Sequence, residues 1–235
     1  MYLSKYFYSA SFQNDMVGVY TGNIAMGDPL TIVLEESIKN EISEKKKTLD
    51  EKLQDILQDY DFNKMSTYEK SKTIFDIVCD SLEYDYEISE YITFTSPNEK
   101  YDNLSEEEHD ALSKIWAKRE NAYDVLITGK AICSGYSKLF ALLSRAVGLE
   151  TLYVDGLVYA DASFEGEGLG HAWNYVKMDD GKWYLVDTTY GDNTSPEEKY
   201  LWLHKIGEDN REMYDYIMLP EDFEMGFDDN LSGQH

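Results

Sequence analysis

Apolar residues recur at the three-to-four-residue spacing of a buried helix face in four stretches of the chain. Leu49, Leu53, Ile56, Leu57 and Tyr60 predict an amphipathic helix over residues 48–60 with a charged, solvated face. Ser66 followed by Glu69 makes a capping box, in which each side chain satisfies a free backbone N–H of the other residue. It predicts a second helix that buries Ile74, Phe75, Val78 and Leu82. Ser105 with Glu108 repeats the device before a third helix carrying Leu112, Ile115, Trp116 and Tyr123. A fourth face, formed by Leu139, Phe140, Leu142, Leu143 and Val147, begins near Cys133 and stops at Gly148, a residue suited to a C-terminal cap.

Strand signals dominate the chain beyond Gly148. Residues 151–159, 172–178 and 183–188 read as strands, separated by a Gly-rich loop over 163–170 and a tight Asp179-Asp180-Gly181 turn. Near the N-terminus, residues 17–24 and 30–34 read as short strands around a turn containing Gly27, Asp28 and Pro29. Residues 84–103, aromatic, polar and broken by Pro97, read as a long functional loop. Ser195-Pro196-Glu197-Glu198 supplies N-cap, N1 proline and N3 glutamate for a short helix through His204. One central helix on an antiparallel sheet is an α+β arrangement. We read one globular unit, with residues 1–65 a strand and helix extension packed on a core of residues 66–235.

Composition narrows the function classes. A chain of 235 residues with 43% hydrophobic residues can bury a large core, and its formal net charge of −25 repels phosphate backbones and anionic membrane surfaces. Nucleic acid is therefore not an expected partner. No apolar run reaches membrane-spanning length, and residues 1–12 lack a signal-peptide core, so membrane insertion is not expected. A cytoplasmic home is the default, and a secreted or cell-surface one applies if a leader has been removed. Two cysteines and four histidines offer no Cys-x-x-Cys or His-x-x-x-His spacing, so neither a metal nor another cofactor is expected. Oligomeric state is not legible.

Candidate chemistry lies at the boundary between the two patterns. A cysteine attacks carbonyls as its thiolate, which needs positive charge nearby; Cys133 stands where a helix begins, and helix N-termini offer partial positive charge and free N–H groups. His171, at the start of a strand after the Gly-rich loop, is the best of the four histidines to act as acid and base. Turn length decides whether Asp187 can orient it. A three-residue loop with Gly181 left-handed sets Met178 opposite Lys182 and Asp187 opposite Trp173, making Asp187 the diagonal neighbour of His171; a two-residue loop puts the two side chains on opposite faces. Trp173 shares that face and is a candidate for shielding the Cys–His pair, while Asn174 points to the other side. Cys79, among apolar neighbours, reads as a small hydrophobe, and His109 and His204 as structural or solvated. Taken singly, a cysteine at a helix start is more often packed than reactive.

Three blocks carry a family resemblance: Gly129-Lys130-Ala131-Ile132-Cys133-Ser134-Gly135-Tyr136-Ser137, then His171-Ala172-Trp173-Asn174-Tyr175-Val176, then Gly181 through Tyr190 containing Trp183-Tyr184-Leu185-Val186-Asp187. In type and order they resemble the transglutaminase-like superfamily over about residues 66–205, its bacterial members included. The resemblance implies a papain-like fold, with Cys133 as nucleophile, His171 as base and Asp187 as its orienting partner. It further implies acyl transfer or hydrolysis at peptide or glutamine carboxamide carbonyls of a protein or peptide substrate. Calcium-dependent and zinc-cysteine branches of the family are disfavoured by length and by the cysteine count. Trp116 and Tyr123 are candidates for the second oxyanion donor, though on a helix each reads more readily as core-facing, and Trp173, Tyr136 and Trp116 are candidates for substrate binding or shielding. The competing reading is a non-catalytic peptide- or cell-wall-binding module that retains the three residues.

Overall fold

The computed structural model describes residues 36–91, 99–158 and 169–204, so the expected strands at 17–24 and 30–34 and most of the Gly-rich loop lie outside the described residues. The chain divides into two compact units, residues 1–60 and 61–235. In the first, helix α1 spans Glu36–Leu57, starting well before residue 48 and stopping short of Tyr60. Apolar spacing missed the earlier turns because i,i+4 charge pairs such as Lys45–Glu41 and Lys46–Asp50 carry them instead.

The second unit opens with α2, Thr67–Ser81, whose Ser66/Glu69 capping box forms as expected. Its Ile74, Phe75 and Val78 are fully buried, each contributing about 1.5–3 kcal/mol of hydrophobic stabilisation. Strand β1 (Glu83–Tyr84), α3 (Tyr86–Glu90) and α4 (Glu99–Asp102) come next, so the expected loop over 84–103 is corrected at both its ends, while residues 92–98 lie outside the described residues. Asp85 caps α3 by accepting the Ile88 N–H, and β1 pairs in parallel with β2, Lys130–Ala131, a partner 47 residues away that no local pattern could announce. Helix α5, Glu106–Glu120, forms behind its Ser105/Glu108 box but ends before Tyr123, because Asn121 takes an extended conformation and caps α6, Ala122–Thr128.

Helix α7, Cys133–Ala146, is the hub of this unit. Ten of its residues, from Ser134 to Ser144, are buried, and Gly148 ends it with a left-handed φ of +85°. Three antiparallel strands pack beside it in the order β3 (Thr151–Val158), β4 (Leu169–Lys177), β5 (Trp183–Val186). Two buried polar contacts fasten the helix to the sheet: Ser137 Oγ donates to Ala172 O at 2.8 Å, and Asn174 Nδ2 donates to Ser137 O at 3.0 Å. Trp173 and Tyr175 alternate away from Asn174 into a second apolar layer with Val154, Val158 and Leu185. Helix α8, Thr188–Asp192, and a 3-10 turn, Lys199–Trp202, complete the described chain. The expected helix from Ser195 through His204 is thus replaced by turns. The result is α+β, and among the described residues no helix is long and apolar enough to cross a membrane.

Candidate active site

Cys133 is the first residue of α7 and is half-buried. Its N-cap, Ile132, contributes no side-chain cap, so the helix N–H groups around the sulfur are not consumed by a capping side chain. Backbone hydrogen bonds hold the approach to this tip: Asp85 N to Ala131 O at 2.8 Å and Ile132 N to Arg119 O at 3.2 Å. Gly135 permits the second contact, since a Cβ there would stand 2.1 Å from Arg119 O. Arg119 Nε also donates to Asp85 Oδ2 at 2.7 Å; burial works against the Asp85 charge, yet the guanidinium prevails and holds the carboxyl below its usual range.

The hairpin joining β4 to β5 has the three-residue loop. Gly181 N donates to Met178 O and Met178 N to Lys182 O, both at 2.9 Å, and Gly181 is left-handed at φ +84°. The register Asn174↔Val186 and Lys177↔Trp183 results, bringing Asp187 beside His171. His171 Nε2 lies 2.7 Å from Asp187 Oδ2, both groups being buried. The other carboxylate oxygen, Oδ1, accepts the Tyr190 N–H at 2.9 Å as the N-cap of α8, and Asp187 N donates to Trp202 O at 2.8 Å. Asp187 is thereby fixed from both its side chain and its backbone.

Burial disfavours a charged imidazole. At His171 the Asp187 carboxylate and the neighbouring Cys133 outweigh it, raising the pKa from 6.5 to about 10. With Nε2 taken by the carboxylate, Nδ1 is the nitrogen left for the sulfur. Trp173 stacks beside the ring, with centroids 6.1 Å apart, and Tyr190 packs on it at 4.7 Å.

Cys133 and His171 share the wall of a cavity of about 810 Å³. Four aromatic residues, Tyr84, Tyr86, Trp116 and Tyr190, line it with two acids, Glu120 and Asp155. Burial together with the Cys133 sulfur pushes both the Tyr84 and Tyr190 phenols up to about 12, with Asp187 adding to the rise at Tyr190. Trp116 lines this cavity together with Cys133 and His171. Tyr136 and Trp173 are fully buried and absent from the lining, which leaves neither in contact with a molecule in the cavity, while Trp173 stays stacked beside His171. Tyr136 instead donates to Asp192 Oδ2 at 2.5 Å, and Trp173 packs over Gly156 within the core. Sequence reasoning passed over Tyr84, Tyr86, Glu120 and Asp155; the aromatic richness of the 84–103 stretch signalled the first pair, and nothing signalled the acids. Among the described residues no group of three His, Cys, Asp or Glu is arranged to hold a metal ion.

The other cysteine and one other histidine sit apart from this wall. Cys79 is buried with Sγ 3.6 Å from Thr188 O, and burial pushes its thiol up. His204 is also buried, in a left-handed conformation at φ +61°, with Nε2 2.7 Å from Ser71 Oγ.

Comparison with known proteins adds three findings. The family model described as Transglutaminase-like superfamily matches residues 54–188. Kyphoscoliosis peptidase of Mus musculus is 29% identical over 166 residues, 67% of this chain and 21% of that protein; its Homo sapiens counterpart is 40% identical over 73 residues, 29% of this chain and 11% of that protein. This chain therefore spans about a fifth or less of the curated relatives it matches. Among solved structures, a TGase crystal structure gives a TM-score of 0.42 at 20% identity, covering 69% of this chain and 35% of that one. A candidate cysteine protease from Cytophaga hutchinsonii gives 0.38 at 17%, covering 69% and 44%.

Proposed function

Because this chain belongs to the transglutaminase-like superfamily, we propose that it is a cysteine enzyme that forms an acyl-thioester on Cys133 from a peptide-bond or glutamine carboxamide carbonyl. Family membership supports cysteine-protease or acyl-transfer chemistry in general. One observation carries the finer reading: a half-buried cysteine at a helix N-terminus lines the same cavity as a buried imidazole whose Nε2 lies 2.7 Å from a buried carboxylate.

In this reading the thiolate pair forms the C–S bond and the carbonyl π pair moves onto oxygen. Cys133 N–H stabilises that oxyanion, and the Trp116 indole N–H is the candidate second donor. Collapse expels an amine or ammonia, which takes its proton from His171. Water or an amine then attacks the thioester and gives a proton back to His171, and the thiolate departs. Water yields hydrolysis and an amine yields cross-linking. Asp187 stabilises the imidazolium and fixes its ring, as the acid of a Ser-His-Asp triad does.

The test is intact-mass spectrometry of the full chain after incubation with glutamine-containing and generic peptides. A covalent adduct on Cys133, lost in Cys133→Ala and His171→Ala, is expected. No adduct, together with equally slow haloacetamide labelling of Cys133 and Cys79, would sink the reading and leave a peptide-binding module.

A further inference from the structure

The cavity beside Cys133 has a charge character that the proposed chemistry does not require. Glu120 and Asp155 both line it, and among the described lining residues none is Lys or Arg. The two carboxylates oppose the anionic sulfur that the chemistry needs, and the donors they hold are hydroxyls: Asp155 accepts from Tyr153, and Glu120 accepts from Ser134 at 3.3 Å. Their field is felt locally: the Tyr153 phenol is pushed up by burial first, then by Asp155, Cys133 and Glu120 together. The cation on this wall, His171, is already paired with Asp187 at 2.7 Å. Arg119 is committed to Asp85 at 2.7 Å, and Lys138, 5.4 Å from the Tyr153 ring centre, is not part of the lining. Aromatic faces complete the wall, with Tyr86 62% exposed, and Leu169, also in the lining, 48% exposed.

We propose that this cavity selects a cationic group, a primary ammonium or a guanidinium, carried next to the reacting carbonyl. Aromatic faces attract such cations through their quadrupoles, and carboxylates pair with them directly. The exposed Tyr86 and Leu169 give the adjoining chain apolar surface to lie on. A bound cation would also offset the negative field around the sulfur, coupling recognition to attack. This proposal rests on reading the cavity as the substrate site.

Binding separates the two. Three peptides, identical except for lysine, norleucine or glutamate beside a glutamine, are titrated into the full-length Cys133→Ala chain by calorimetry, and cadaverine is titrated alone. The lysine peptide should bind roughly tenfold tighter than the norleucine peptide, and the glutamate peptide weakest. In the added Glu120→Gln/Asp155→Asn background the lysine advantage should fall to within about twofold, while the norleucine affinity holds. Weak cadaverine binding is expected; cadaverine binding as tightly as the lysine peptide would show that the cation need not be carried beside the carbonyl and would overturn the proposal. Equal affinities for lysine and norleucine, or a lysine advantage that survives loss of both carboxylates, would overturn the proposal. Lysine preference without any Cys133 adduct in the unsubstituted chain would keep charge recognition and sink acyl transfer. Adducts formed equally from all three peptides, with equal binding, would do the reverse.

Discussion

Two buried histidines lie at opposite extremes within one unit of this protein. His171 and His204 are both removed from water, yet burial governs only the second. At His204 the neighbours are a serine hydroxyl at 2.7 Å and the Tyr68 ring at 4.9 Å, and the pKa falls from 6.5 to about 3. At His171 a carboxylate at 2.7 Å and a cysteine reverse the sign, to about 10. The cysteines divide the same way. Cys79 sits in apolar packing with its thiol pushed up by burial, whereas Cys133 lies at a helix tip beside a charged ring. Burial by itself silences a titratable group; burial with a paired opposite charge keeps it charged and in place.

The sharpest way to break this contrast is haloacetamide labelling at neutral pH. Cys133 should react on the order of a hundredfold faster than Cys79, His171→Ala should erase the difference, and His204→Gln should leave it within about twofold. Equal sensitivity to both histidines would dissolve the distinction. Next in size is Asp187→Asn. Asparagine can still cap α8 through the Tyr190 N–H, so the fold should hold while acyl transfer drops about 10²–10⁴-fold. The His171 titration, followed by NMR, should move from about 10 towards 6.5.

Stability against pH separates the histidines directly. His171 is raised above its ordinary 6.5, so its contribution is complete below that value and drains away as pH climbs through about 10. His204 is depressed and stays neutral in the fold, so stability is lost as pH falls from 6.5 through about 3. Each limb should amount to a few kcal/mol. Urea midpoints from pH 4 to 10 should lose the alkaline limb in His171→Gln and the acid limb in His204→Gln; unchanged limbs would show that other groups set them.

Two glycines sharpen the structural side. Gly135→Ala would drive a Cβ to 2.1 Å from Arg119 O beside the Cys133 turn. It should cost about 1–3 kcal/mol, lower the melting temperature by several degrees and slow Cys133 labelling. Gly181→Ala strains only the hairpin loop, where nothing stands within 4 Å of the new methyl. A loss of about 1 kcal/mol with unchanged labelling is expected, measured by the same two methods.

What the sequence by itself determined is local. The Ser66/Glu69 and Ser105/Glu108 boxes, the Gly148 cap, the placement of Cys133 at a helix start and the odd-length turn that sets Asp187 beside His171 all arise from contacts within about 16 residues. Backbone geometry and side-chain alternation are enough to fix such relations. Tertiary structure decided the rest: the pairing of Glu83–Tyr84 with Lys130–Ala131, the burial of Tyr136 on Asp192 and of Trp173 in the core, and the unmarked meeting of Glu120 with Asp155 at one cavity. These depend on distant segments sharing space, and one-dimensional periodicity records which face is apolar but never which distant surface that face will meet.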